Sequence, residues 1–507
     1  MRRLFLISIL CLGLMNCAPS GSETPATSEP KSFDFDGVFD DTYAGDIDRT
    51  VISRRPEGPP NIVLIIADDL GWPYLGFLGD ENVITPNMDI LGNGGAVFEL
   101  GHATSNHCRP TLQSLITGLH PVTYEQKIRD IGAQRLEEYK NIEERTPRER
   151  NLIRQQFETS AIELFDTLPR LLADKGYVSH QSGKWWEQSY AHGGFTHGMT
   201  GSWKWQDGAD LGDKWFFTFM GGQGMEVGRK TMDPVTDFIS DHADQPFFIW
   251  YGPALPHTPL NAPDKFYKYY EQREDLSESA KLYYANITWF DWGVGELIDQ
   301  LREERVLDNT LIVYINDNGW EQPAGVEYAD NHITFANGGP RGKGSFFETA
   351  FRTPIIFYWQ GKIMPLRDRE TLASAIDIMP TLLDYAGHSS YQGLPGYSLR
   401  DAIKGGELDN PRDFIIGRMT QHRAGTNFKG EPDSTTEDHM GKSLGGYYRR
   451  DHRWHFVWLP ESDNIALWDI ENDPEQLRDV SGSEPERIET FKRDIQVWIN
   501  SFETQSE

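Results

Sequence analysis

Apolar runs of strand length recur along the chain, separated by stretches with the spacing of helices. Residues 61–67 (Asn-Ile-Val-Leu-Ile-Ile-Ala) show no polar alternation, as expected of a strand buried on both faces of a parallel sheet. Residues 246–251 (Pro-Phe-Phe-Ile-Trp-Tyr) and 310–316 (Thr-Leu-Ile-Val-Tyr-Ile-Asn) repeat the pattern, and 177–181 and 349–359 are further strand candidates. The intervening spacing predicts helices over 164–175, stopped by Gly176, over 278–305 and over 369–386. From about Asp409 the pattern changes. Short runs at 447–450, 454–459 and 465–470 predict an antiparallel meander, with a last helix over 485–502. The fold class expected is α/β: a large mixed, mostly parallel sheet sandwiched by helices, then a smaller antiparallel sheet plus helix. The division expected is a large domain over 59–408 and a C-terminal antiparallel subdomain over 409–507.

The polar, mixed-charge stretch 126–158 reads as a solvated helical insertion, either a wall of the substrate pocket or a plain surface excursion. Ahead of the first strand, residues 1–16 set two arginines before a short apolar run, the pattern of an export signal. Cys17 closes that run and resembles a bacterial lipoprotein cleavage site, so 1–17 reads as signal and lipobox. Residues 18–58 then read as a flexible tether and lead-in. This predicts an exported protein, periplasmic or on the outer membrane or cell surface, that meets a membrane only through an N-terminal lipid anchor.

Composition narrows the function. The 507 residues carry 77 acidic against 48 basic side chains, a formal charge of −29, which argues against general nucleic-acid binding. An anionic substrate therefore needs a local basic pocket. No repeat of solenoid or propeller period is evident.

Two of the three cysteines lie in the first 17 residues, which leaves Cys108 as the single thiol of the body of the chain. In an exported protein such a thiol calls for a reason. His107 precedes it and Arg109-Pro110 follow, with Pro110 where a helix is expected to begin, and a helix N-terminus favours an anion. Asp68 and Asp69 end the first apolar run, and Asp317-Asn318-Gly319 end the run at 310–316. Adjacent carboxylates repel, and a hard cation would account for both clusters. Lys184 follows a strand end in Ser182-Gly183-Lys184-Trp185-Trp186. His257 lies in Leu255-Pro256-His257-Thr258-Pro259, where prolines restrict the backbone. Lys343 lies in the glycine-rich loop 338–344.

These motifs together resemble the formylglycine-dependent sulfatases of the alkaline-phosphatase-like superfamily, over about residues 59–500. Cys108, Pro110, Thr111, Thr117 and Gly118 match the sulfatase signature, and 466–480 resembles the family's C-terminal element. The resemblance implies a catalytic sulfatase domain over 59–408, whose Cys108 is oxidised to formylglycine by a formylglycine-generating enzyme. It implies that Asp68, Asp69, Asp317, Asn318 and the modified Cys108 hold Ca2+, with Mg2+ also suited to such ligands. It further implies that Lys184 and Lys343 bind the sulfate, that Asp317 serves as base and that His257, with Lys343, protonates the leaving group. The substrate expected is a sulfated saccharide or a small sulfate ester. Two positions depart from the family: Leu112 stands at its arginine and Trp186 at its histidine. Arg109 is the nearest sequence candidate to replace the first, and His180 or His192 the second. Arg418, His422, Arg423, Arg449, Arg450, His452 and Arg453 are candidates to read further anionic groups on the substrate. Two other readings stay open: a phosphate or phosphonate ester hydrolase of the same superfamily, and an inactive lipoprotein that binds sulfated glycans.

Overall fold

The computed structural model describes residues 54–55, 57–202, 219–321, 341–388, 391–419 and 446–503. The leader, the lipobox, most of the tether, His422, Arg423 and positions 338–340 lie outside the described residues. The strands are β1 (Asn61–Ala67), β2 (Ala96–His102), β3 (Val178–Gly183), β4 (His197–Gly198), β5 (Phe247–Gly252), β6 (Thr310–Asn316), β7 (Arg352–Tyr358), β8 (Leu366–Asp368), β9 (Ala373–Ser374), β10 (Ile415–Met419), β11 (Gly446–Arg450), β12 (Trp454–Leu459) and β13 (Asn464–Asp469). The helices are α1 (Pro86–Gly94), α2 (Cys108–Thr117), α3 (Pro121–Glu137), α4 (Pro147–Ser160), α5 (Leu168–Ala173), α6 (Asp233–His242), α7 (Asp264–Glu271), α8 (Glu278–Glu303), α9 (Ile378–Tyr385), α10 (Arg400–Ile403) and α11 (Pro485–Glu503). Among the described residues, no helix is long and apolar enough to cross a membrane.

Nine strands form one sheet in the order β4-β3-β5-β1-β6-β7-β2-β8, with β9 also on β2. β3, β5, β1 and β6 run parallel, and β7 is antiparallel to both its neighbours. The all-apolar runs occupy the centre, where every residue of β1, β5 and β6 is buried. A second, four-stranded antiparallel sheet runs β10-β11-β12-β13 and packs α11 through Phe456, Leu467, Phe491 and Ile495.

Several sequence expectations shift. The helix expected over 369–386 is only α9, preceded by β9 and a 3-10 turn at Ala375–Asp377. Its first half is claimed by the sheet edge and by Asp377, whose carboxylate takes both ends of the Arg412 guanidinium at 2.6 Å. The helix expected over 164–175 shrinks to α5, and 3-10 turns occupy 161–164 and 348–350. The polar stretch becomes a hairpin, α3 and α4, broken at 138–146 and restarted by a Thr146–Glu149 capping box. Helix α2 starts at Cys108 itself, two residues before Pro110.

The two sheets are joined by buried charge. Glu348, after the second lysine segment, accepts Arg450 Nε of β11 at 2.9 Å and lies 3.4 Å from His102 Nε2 of β2. Gln476 Oε1 accepts the Glu348 N–H at 2.7 Å. Arg341 donates to the carbonyls of Glu475 and Gln476 and stacks on Phe347 at 3.6 Å. Burial opposes ionisation of Glu348, but Arg450, His102 and Arg352 outweigh it and hold its carboxyl well below the usual range. A carboxyl depressed in the folded state contributes stability above its unfolded value, and that stability is lost as the pH falls. Glu348→Ala is expected to cost about 3–5 kcal/mol at neutral pH. Denaturant unfolding should show the gap between variant and parent closing on acidification.

Candidate active site

Four parallel neighbours in one sheet end on the same edge, and that edge assembles the site. The register Ala67↔Asn316 between β1 and β6 sets Asp68 beside Asp317, and the Asp317 N–H closes on the Ala67 carbonyl at 3.0 Å. On the other side of β1, the Asp68 N–H bonds to Leu255 O at 2.9 Å in the loop that leaves β5. β3 pairs Gly183 with Gly252, and the Lys184 N–H bonds to Gly252 O at 2.8 Å. Gly183 is required there: its φ is +88°, and a Cβ would lie 1.8 Å from the Gly252 carbonyl oxygen. Asp69 adopts φ 66°, unusual for a residue with a side chain. It is held there by Tyr283, whose hydroxyl donates to Asp69 O at 3.0 Å, and by Asp317 Oδ1, which accepts the Asp69 N–H at 3.1 Å.

Cys108 enters from outside the sheet, in the first turn of α2, and is 4% exposed. Its loop is tied to the second lysine segment: the Gly344 N–H bonds to Asn106 O at 3.1 Å, and Asn106 Nδ2 to Ser345 O at 3.1 Å. The Lys343 N–H bonds to Trp320 O at 2.8 Å. One ligand atom from each of Asp68, Asp69, Cys108 and Asp317 lies within 4.8 Å of the others. Lys184 Nζ bonds both oxygens of Asp68, at 2.7 and 2.8 Å, and Lys343 Nζ those of Asp69, at 2.8 and 3.0 Å. Asn318 Nδ2 donates to Asp69 Oδ1 at 2.7 Å. His257 Nε2 stands 3.6 Å from Asp69 Oδ2, and its Nδ1 is 2.6 Å from Thr258 O. That contact makes Nδ1 the proton-bearing nitrogen and turns Nε2 toward the site.

Burial raises every carboxyl here, and the cations decide which ones stay low. Against burial, Lys184, His257 and Lys343 bring Asp68 down to about 2, and Lys343 with His257 lowers Asp69. On Asp317 the pull of Lys184 is too weak to do the same. Burial, and then the charges of Asp68 and Cys108, push it well above the usual range. Both lysines pay burial too, yet Asp68 and Asp69 respectively hold them above the ordinary amine. Burial lowers His257 despite Asp69 and Asp68. Two oxygens at the centre, Asp317 Oδ2 and Asn318 Oδ1, are buried without a hydrogen-bond partner among the described residues. An unpaired buried acceptor is costly, and these two oxygens could serve as ligands of a cation.

The two departures from the sulfatase pattern meet each other. Leu112 and Trp186 are 6% and 9% exposed and line one cleft with Gln113, Ile116, Trp185 and Glu187. Trp186 also packs edge-on against Phe219 and lies 5.8 Å from Lys184 Nζ. Arg109 does not substitute for the missing arginine. Its Nε and Nη2 grip the two oxygens of Glu187 at 2.8 and 3.1 Å, and Gln113 and Tyr124 donate to the same carboxylate. His180 packs on Phe238 and is lowered to about 4, chiefly by burial, while His192 Nδ1 pairs with Ser189 at 2.8 Å. Neither reaches the site.

The described C-terminal basic residues do not converge on it either. Arg418 pairs with Glu125, Arg449 with Asp451 and Asp494, Arg450 with Glu348 and Arg453 with Asp469. His452 bonds to Glu370 O at 2.7 Å. Sequence reading missed Glu187, Tyr283, Glu321 (3.2 Å from Lys343 Nζ) and Arg229, described below. None sits in a motif, and their partners are remote in sequence.

A sulfatase family model matches residues 60–388, more than half of the chain. The chain belongs to the sulfatase family. This makes it a sulfuric ester hydrolase. A second model, for the C-terminal part of N-sulphoglucosamine sulphohydrolase, matches residues 341–500. The canine N-acetylgalactosamine-6-sulfatase is 26% identical over 391 residues, covering 71% of this chain and 69% of its own. An arylsulfatase of Clostridium perfringens is 23% identical over 502 residues, covering 86% and 93%. The structure of Ps i-CgsB in complex with k-i-k-neocarrahexaose superposes with a TM-score of 0.60 at 25% identity, covering 87% of this sulfatase and 92% of that chain.

Glu187→Ala in this sulfatase removes the acceptor shared by Arg109, Gln113 and Tyr124. A loss of about 3 kcal/mol in denaturant unfolding is expected, with Glu187→Gln losing less.

Proposed function

We propose that this sulfatase removes a sulfate ester from a saccharide, with formylglycine made from Cys108 as nucleophile and a divalent cation at the strand ends. The single observation behind this reading is the meeting of Cys108 with three buried carboxylates, flanked by two buried lysines. Asp68, Asp69, Asp317 and Asn318, with the modified Cys108, would hold the cation. The unpartnered Asp317 Oδ2 and Asn318 Oδ1 fit that role. Their all-oxygen set suits Ca2+, the ion usual in the family, and also Mg2+. A cation bound there supplies positive charge against the sulfuryl oxygens. Lys184 and Lys343 add to it from either side and orient the sulfate. Asp317, gathered with Cys108 at the same strand ends, takes the proton of the nucleophile. His257, once it takes up a second proton at Nε2 against its burial, protonates the departing oxygen together with Lys343.

Formylglycine provides a hydrated aldehyde whose second hydroxyl lets sulfate leave by elimination. A formylglycine-generating enzyme makes it during maturation, and Leu112 weakens recognition by such an enzyme in a foreign host. The saccharide class is supported by the N-acetylgalactosamine-6-sulfatase relative and by the saccharide complex among the structural neighbours. Residues 1–17 support export as a lipoprotein anchored through Cys17.

Asp317→Asn is expected to abolish cation binding and hydrolysis without lowering the thermal stability of the metal-free protein, because it removes one of three crowded carboxylates. Metal analysis and thermal unfolding check this, and unchanged occupancy rules the site out. The function is tested on protein from its own host, by peptide mass spectrometry at Cys108 and a panel of sulfated sugars, aryl sulfates and phosphodiesters. Formylglycine and sulfate release are expected. Phosphodiester cleavage faster than any sulfate release overturns the sulfate reading. An unmodified thiol with no turnover favours a sulfated-glycan-binding protein.

A further inference from the structure

We propose that Arg229 is the positioning residue of His257: it grips the main chain of the β5 loop and so aims the imidazole at the leaving-group side of the site. The inference rests on the proposed function above. The loop after β5 contains Pro253, Pro256 and Pro259, which have no N–H to give. Within the loop the N–H groups of Leu255 and Asn261 serve Pro253 O and Pro259 O, and the carbonyls of Ala254 and His257 take donors from elsewhere. Arg229 supplies the donors. Its Nε bonds to Ala254 O at 2.8 Å and its Nη2 to His257 O at 2.6 Å. Its Nη1 bonds to Asn261 Oδ1 at 2.8 Å and reaches Pro259 O at 3.4 Å. One guanidinium thus spans the loop from 254 to 261, on both sides of His257.

The guanidinium is itself fixed. It lies 5.4 Å from the ring of Trp289, a buried residue of α8. Its backbone sits in a tight turn, where Gly228 N bonds to Thr231 O at 3.0 Å and Arg229 N to Glu226 O at 3.2 Å. Among the described residues no carboxylate ion-pairs with it. A half-buried cation that spends its donors on carbonyls is an expensive way to hold a loop, unless the loop must be held to a fixed geometry. The geometry at stake is that of the ring. His257 Nδ1 bonds to the carbonyl of the next residue, Thr258, at 2.6 Å, so the main chain of 257–258 dictates where Nε2 points. Lysine, a point donor on a flexible stem, cannot reproduce this three-way grip.

Full-length, host-modified protein carrying Arg229→Lys or Arg229→Gln is assayed against sulfates with graded leaving groups, from 4-nitrophenyl sulfate to alkyl and sugar sulfates. The expected kcat loss is about tenfold or more for alkyl and sugar sulfates and less than about threefold for 4-nitrophenyl sulfate, with KM little changed. In a His257→Gln background, Arg229→Lys should cost nothing further. Equal losses across leaving groups, or a full additional loss in that background, overturn the proposal. A second arm needs no turnover. In spectra of 15N-histidine-labelled protein, the hydrogen-bonded Nδ1 proton of His257 should exchange slowly in the parent and rapidly in Arg229→Lys. Slow exchange in both overturns the positioning role. If the parent hydrolyses no sulfate the proposed function fails, and the exchange measurement alone then decides the role of Arg229.

Discussion

Three buried carboxylates at adjoining strand ends repel one another, and the architecture around them is arranged to make that tolerable. The parallel register of β1 and β6 forces Asp68 and Asp317 side by side. Stability then requires that cations arrive from other elements. Lys184 arrives from β3, two strands away, and Lys343 from the segment that leads to β7. The sheet order places a carboxylate-bearing strand end at the centre and cation-bearing ends around it. Lys184 and Lys343 answer Asp68 and Asp69, and among the described residues no side-chain cation bonds to Asp317.

The motif residues were legible because they sit directly after apolar runs. β1, β5 and β6 are buried on both faces, so their sequences lack polar positions and their C-terminal ends are easy to find. Short edge strands give no such signal. β8 and β9 together hold five residues, and the stretch before α9 therefore read as helix. Long-range polar partners are invisible to pattern as well. Glu187 lies 78 residues from Arg109, and Arg229 is one cation among 48 in the chain. Only the fold tells which of them is spent on a carboxylate and which on a loop.

Leu112 and Trp186 illustrate the same limit from the other side. Taken singly, each replaces a polar residue of the family pattern with an apolar one. In the structure they line one cleft, and the adjacent Glu187 holds Arg109, Gln113 and Tyr124. Helix α2 is thus docked on the Lys184 loop by packing and by an ion pair set to one side of Cys108. A paired apolar change that fills its own space packs well while placing no charge beside Cys108.

The Lys343 segment belongs to two halves at once. Arg341, two residues before the lysine, is fastened to the main chain at 475–476, and Glu348, five residues after it, to Arg450 and Gln476. No described C-terminal side chain stands in the site, yet the lysine is strung between two moorings on that part of the chain. The protein is therefore not modular at the seam between its sheets. A recombinant fragment ending before β10 would retain all the described site residues but lose the fastening of one of them. Exchange of the C-terminal part between relatives would be constrained by the moorings of that lysine.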